Sequence, residues 1–61
     1  MIYILEYNPI PSDYKAAYYM PNMYEVLYDA EQAVETFRRA GYKGKFRILN
    51  FHNPKVEKEF T

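Results

Sequence analysis

The residues best suited to nucleophilic or acid–base chemistry are the single histidine, His52, and the single serine, Ser12, about 40 positions apart. A hydrolytic triad needs a nucleophile, a base held against it and a third group to orient the base. Ser12 lies in a proline-flanked loop, NPIPSD, and His52 follows an apolar run, so neither is assigned a catalytic role. Metal chemistry fares no better. There is no cysteine, one imidazole cannot build a zinc site, and the carboxylates lack the spacing of a calcium loop. The two glycines, in Gly41-Tyr42-Lys43-Gly44, follow a helix end, whereas a phosphate-binding loop places its glycines between a strand and a helix start. They are helix caps and corners. The expectation is a non-enzyme with no metal and no cofactor.

Two stretches suit binding. Arg38, Arg39, Lys43, Lys45 and Arg47 are interleaved with Tyr42 and Phe46, a mixture that can neutralise phosphates and stack on bases, or meet an acidic protein. Upstream, Tyr14, Tyr18, Tyr19, Tyr24 and Tyr28 crowd into 15 residues together with Met20 and Met23. A core this small cannot bury them all. Tyrosine offers a broad contact area with a polar tip, which is why it is enriched at protein interfaces. The tyrosine cluster is therefore the leading candidate for binding a protein partner, and the basic stretch 38–47 is the alternative, a nucleic-acid surface.

The chain has 61 residues, eight acids, eight bases and 20% aromatic side chains. So short a sequence is near the lower limit for a self-sufficient core, and without disulfides or a metal the remaining supports are dense aromatic packing and oligomerisation. A single domain over 1–61 and a homodimer are expected. No apolar run approaches the roughly 18 residues that cross a bilayer, and no basic-then-apolar leader opens the chain, so the expectation is a soluble, cytoplasmic protein with no membrane partner. Charge is uneven despite the balance: residues 1–35 hold six acids and one base, and residues 36–56 hold six bases and no acid. Such a layout either cancels on folding or leaves a two-faced surface that steers a partner.

The element best signalled is a helix at about 29–40. Asp29 is placed to cap it with Gln32 reaching back, and Ala30, Ala33, Val34, Phe37 and Ala40 share one face. Acids early and bases late suit the helix dipole. Gly41 should close it in the left-handed region, with Tyr42 folding onto Phe37 as in a Schellman cap. Before it, MIYILEYN has strand composition with apolar residues on both faces until Glu6, which suits a central strand or one whose second face meets another subunit. Ser12 or Asp13 can cap whatever follows the proline loop. Residues 14–28 admit two readings: a hairpin of Tyr14–Met20 and Met23–Tyr28 turning at Pro21-Asn22, or a long helix from Met23 to Ala40, with the hairpin preferred. After the helix, Lys45–His52 is a strand with Phe46 and Ile48 on one side and Leu49 and Phe51 on the other, ended by Asn53-Pro54. Residues 53–61 are either a flexible tail or an edge strand.

In general style the segment LYDAEQAVETFRRAGYKGKFRIL, after a tyrosine-rich start, resembles small accessory proteins of bacteriophages. The resemblance implies a compact inhibitor that binds a host enzyme or defence factor and occludes its surface. The fold expected is α+β, a three- to four-stranded sheet with one amphipathic helix on one face, in β-β-β-α-β or β-α-β order.

Overall fold

The computed structural model describes residues 1–53 and 55–60. Strand β1 (Tyr3–Asn8) is followed by a loop with one 3-10 turn (Tyr14–Ala16). Then come β2 (Tyr18–Tyr24), helix α1 (Leu27–Arg39), β3 (Lys45–Asn50) and β4 (Val56–Phe60). The strands form one antiparallel sheet in the order β2-β1-β3-β4, and α1 packs on one face of it. This is the α+β class that the sequence implies. Because β2 and β3 both pair antiparallel with β1, the strands before and after the helix run parallel with β1 between them. MIYILEYN is thus central in the sheet, with α1 over one of its two apolar faces.

The core lies between α1 and one side of the sheet. Leu5 and Tyr7 from β1, Met20 from β2, Phe46 and Ile48 from β3, and Ala30 and Val34 from α1 are its buried members, with Leu27, Ala33, Phe37 and Phe60 packed around them. Small residues on α1 let it lie close to the strands. The Phe46 ring is 4.6 Å from Tyr7 and 6.1 Å from Phe37. The Tyr7 hydroxyl donates to the Lys43 carbonyl, so the ring is buried while its polar tip is satisfied.

Helix α1 starts two residues earlier than Asp29. Val26 holds the cap position in an extended conformation with no side-chain cap bond, and its carbonyl accepts from Asp29 and Ala30 at 3.1 and 3.2 Å. Asp29 lies in the first turn, where its charge still meets the positive end of the dipole. Packing accounts for this: starting at Leu27 sets Leu27, partly buried, against the core beside Ala30 and Val34, and the apolar area so covered offsets a cap worth about 1 kcal/mol. The other end is as expected. Gly41 has φ +102°, its N–H donates to Arg38 O at 3.1 Å, and the Tyr42 N–H donates to Phe37 O at 3.1 Å. The Tyr42 and Phe37 rings meet edge-on at 5.1 Å, which completes a Schellman cap.

Residues 14–28 follow neither reading. There is no hairpin at Pro21-Asn22 and no helix from Met23; one strand runs through both, paired to β1 with Ile4 opposite Met23 and Glu6 opposite Tyr19. Leu5 therefore faces the three residues Met20, Pro21 and Asn22, a bulge. Proline lacks the N–H that a ladder needs, and it is tolerated here because β2 is an edge strand whose pairing is interrupted at that point. The chain reverses instead in Pro9–Ala17, where the Asp13 carboxylate caps the short turn by accepting from the Lys15 N–H at 3.0 Å. Val56–Phe60 is an edge strand, and Lys58 links it to α1 through Glu31 at 2.5 Å. The strand expected to run from Lys45 to His52 ends at Asn50, whose amide oxygen accepts from the His52 N–H and turns the chain. Of the two readings of 53–61 the edge strand holds over 56–60; Pro54 and Thr61 lie outside the described residues.

Candidate binding face

Alternation along the strands puts a second set of residues on the side away from α1, which no helix or strand among the described residues covers; the loop that carries Pro11, Tyr14 and Ala17 stands at its charged end. Reading across β2, β1, β3 and β4, one row is Met23, Ile4, Leu49 and Val56. The next is Tyr19, Glu6, Arg47 and Glu59. The first row is apolar and is extended by Phe51, which joins Ile4, Tyr19, Met23 and Leu49 around one hollow. The second is charged, and its hollow gathers Glu6, Arg47, Lys45, Asn8 and, from the loop, Tyr14.

The apolar row is exposed in a particular way. Leu49 at its centre is 7% exposed, whereas Tyr19, Met23 and Phe51 around it are 61%, 58% and 50% exposed. Large apolar side chains collected on one face of a small domain mark an interaction surface, whereas the same residues scattered singly would not. The charged row is internally paired. Arg47 Nε lies 2.7 Å from Glu6 Oε1 across the β1–β3 ladder, and Lys45 Nζ lies 3.3 Å from Glu59 Oε1. Glu6 and Arg47 are only partly exposed, so this cross-strand pair is worth more than a free surface pair, though on the order of 1 kcal/mol at most.

Asn8 and Asn50 end β1 and β3 and are buried. Each folds its amide oxygen onto the next loop, Asn8 accepting from Ile10 N–H at 2.9 Å and Asn50 from His52 N–H at 3.0 Å. These turns fix the loops that carry Tyr14 and Phe51 to the rim of the face. Gly44 works at the same corner. With φ +129°, it lies so close to the first loop that a Cβ there would collide with the Asn8 carbonyl and stand 3.1 Å from Pro9 Cα.

The five tyrosines do not form one patch. Tyr19 and Tyr14 border the open face, 61% and 80% exposed, whereas Tyr18 points to the helix side, its ring 5.8 Å from Tyr7. Tyr24 packs against the core and Tyr28 is exposed on the first turn of α1. The basic residues also separate. Lys45 and Arg47 lie on the open face beside their acids, Arg38 and Arg39 occupy the last turn of α1 in the other layer, and Lys43 is in the loop between. Ile4, Met23, Leu49 and Phe51 belong to the site although tyrosine content does not point to them. The signal available for Ile4, Leu49 and Phe51 is the apolar second face of MIYILEYN and of KFRILNFH; Met23 joins them through its pairing with Ile4.

His52 is exposed with the Phe51 ring at 5.7 Å, and Ser12 lies in an exposed turn. Among the described residues no three His, Cys, Asp or Glu side chains are grouped to hold a metal ion, and no helix is long and apolar enough to cross a membrane. No family model matches this chain, and neither the curated proteins nor the solved structures provide a match.

Proposed function

We propose that this chain is a protein-binding module that works by contact through the uncovered face of its sheet. The observation that carries the reading is the row Met23, Ile4, Leu49 and Val56, rimmed by the exposed Tyr19 and Phe51 and bordered by the Glu6–Arg47 pair. An apolar centre with aromatic anchors and a polar margin is the composition of a protein interface. The reading keeps Tyr14 and Tyr19 from the tyrosine cluster and adds the aliphatic row; it draws nothing from the phage-accessory resemblance. The nucleic-acid alternative has less support, because Lys45 and Arg47 already meet carboxylates and the other cations lie in the helix layer or the loop.

Affinity capture from a lysate that also carries an untagged native copy of the chain tests it, with two baits: the native chain and a Tyr19→Ser/Met23→Ser variant, both substitutions at exposed positions. Protein retained by the native bait and lost from the variant supports the reading. Equal retention by both baits, with the variant folded by circular dichroism, overturns it.

A further inference from the structure

Resting on that reading, we infer that the partner of the open face is a second copy of this chain, packed sheet on sheet about a two-fold axis running parallel to the strands between β1 and β3. Such an axis exchanges β1 with β3 and β2 with β4. The two rows are complementary to themselves under that exchange. Ile4 comes opposite the partner's Leu49, which is only 7% exposed, and Met23 comes opposite the partner's Val56, 58% and 38% exposed, so the outer Met23–Val56 pairs supply most of the apolar contact. In the second row Glu6 meets the partner's Arg47, and Arg47 meets the partner's Glu6. The cross-strand ion pair of one copy thus becomes an alternating square of four charges. At the row's ends the Tyr19 hydroxyl stands against the partner's Glu59, a donor opposite an acceptor.

The other in-plane axis, perpendicular to the strands, does worse. Centred on the apolar row, it takes the charged row off its own image; centred between the rows, it lays charges on apolar side chains. Charge complementarity therefore selects the axis along the strands. It also keeps the strands of the two sheets nearly aligned, the ordinary geometry of a sandwich about 10 Å thick. Four strands about 4.8 Å apart and about 20 Å long give a footprint on the order of 400 Å² per copy, about 800 Å² in total, which is below the ~1,000 Å² of a stable interface and belongs to a weak, transient one. Association is accordingly expected in the micromolar range or weaker. For a chain whose whole extent is 29 × 23 × 18 Å, covering that face supplies the second apolar layer that the short sequence lacks.

Sedimentation equilibrium of the full chain, from about 10 μM to about 1 mM, is the test, with two charge variants that the axis distinguishes. Glu6→Arg alone places four cations at the square and Arg47→Glu alone places four carboxylates there, so each should weaken self-association at least ~10-fold. Mixed one to one, the two variants should form a heterodimer at the native affinity, because each cation then meets a carboxylate of the other chain. Met23→Ser, which does not touch the ion pair, should also weaken the dimer while leaving the fold intact, and it serves if a charge variant unfolds. A native chain that stays monomeric across the range overturns the inference, as does a dimer that none of these variants alters. If a monomeric chain still shows the face-dependent capture described above, the face binds a different protein and only the second copy is wrong. If capture is also independent of the face, both readings fall.

Discussion

The two sides of β1 begin from similar material. Tyr3, Leu5 and Tyr7 project to one side, Ile4, Glu6 and Asn8 to the other, and each side continues across the sheet with large apolar residues, Phe46 and Ile48 on the first, Leu49 and Met23 on the second. Only the first is covered by α1. There Leu5 and Ile48 are wholly buried and the aromatic rings of Tyr7, Phe46 and Phe37 contact one another. On the second side no helix or strand among the described residues lies over the sheet; Leu49 is covered by neighbouring side chains, and Met23 and Phe51 remain half exposed or more. The helix has enough small residues to close over one face of a narrow sheet. A single helix cannot close over two. The covered face thus supplies the stability, and the open one is the face on which the proposed binding rests.

If that division is right, substitutions on the covered face should cost far more stability than those on the open face. Leu5→Ala, at a site with no exposed surface, should lose about 3 kcal/mol by urea denaturation, since the lost transfer energy and the cavity add. A domain of this length holds only about 3 to 9 kcal/mol in total, so this variant should be largely unfolded at modest denaturant. A loss under about 1 kcal/mol would mean that the helix face is not the principal core.

The two glycines sharpen the comparison. Both have positive φ, yet nothing lies within 4 Å of a Cβ at Gly41, whereas one at Gly44 strikes the backbone of Asn8. Gly44→Ala should therefore cost about 2 kcal/mol or more, against about 1 kcal/mol for Gly41→Ala, where only the left-handed conformation is paid for. Equal costs would show that the corner between β1 and β3 relaxes freely.

Tyr7→Phe keeps the ring and leaves the Lys43 carbonyl without its donor. It should cost about 1 kcal/mol, seen as a fall of roughly 4–8 °C in Tm. Smallest of all, Met23→Ser on the open face should change the stability of the monomer by less than about 0.5 kcal/mol while weakening association. A large loss of monomer stability there would show that the open face belongs to the core.

Much of this architecture is legible in the residues. The Gly41 cap with Tyr42 on Phe37, the strand after Gly44 with Phe46 and Ile48 on one side, and the α+β class all follow from spacing and turn chemistry within a few residues. The start of α1 is not legible in the same way. Asp29 and Gln32 advertise a cap, but the packing of a partly buried Leu27 against a sheet assembled from distant segments overrides it. Pro21-Asn22 likewise has the composition of a turn, and becomes a bulge only because β1 is present to pair on either side of it. The candidate face is only partly legible: tyrosine content points equally to Tyr14, Tyr18, Tyr19, Tyr24 and Tyr28, of which Tyr14 and Tyr19 alone border the open side, and the doubled apolar faces of β1 and β3 point to Ile4 and Leu49. Which of the five tyrosines share a side depends on the register of β2, and no local feature sets that.

What the sequence determined by itself is therefore local and periodic: one capped amphipathic helix, strands with apolar residues at alternate positions, and a glycine corner. These depend on hydrogen bonds and side-chain directions within a turn or two of chain. Tertiary structure alone decided that β1 lies between β2 and β3, that Glu6 meets Arg47 from 41 positions away, and that Met23, Ile4, Leu49 and Val56 form one row. Those facts come from the pairing of segments far apart in the chain, which becomes favourable only when the whole apolar face of the sheet is buried at once.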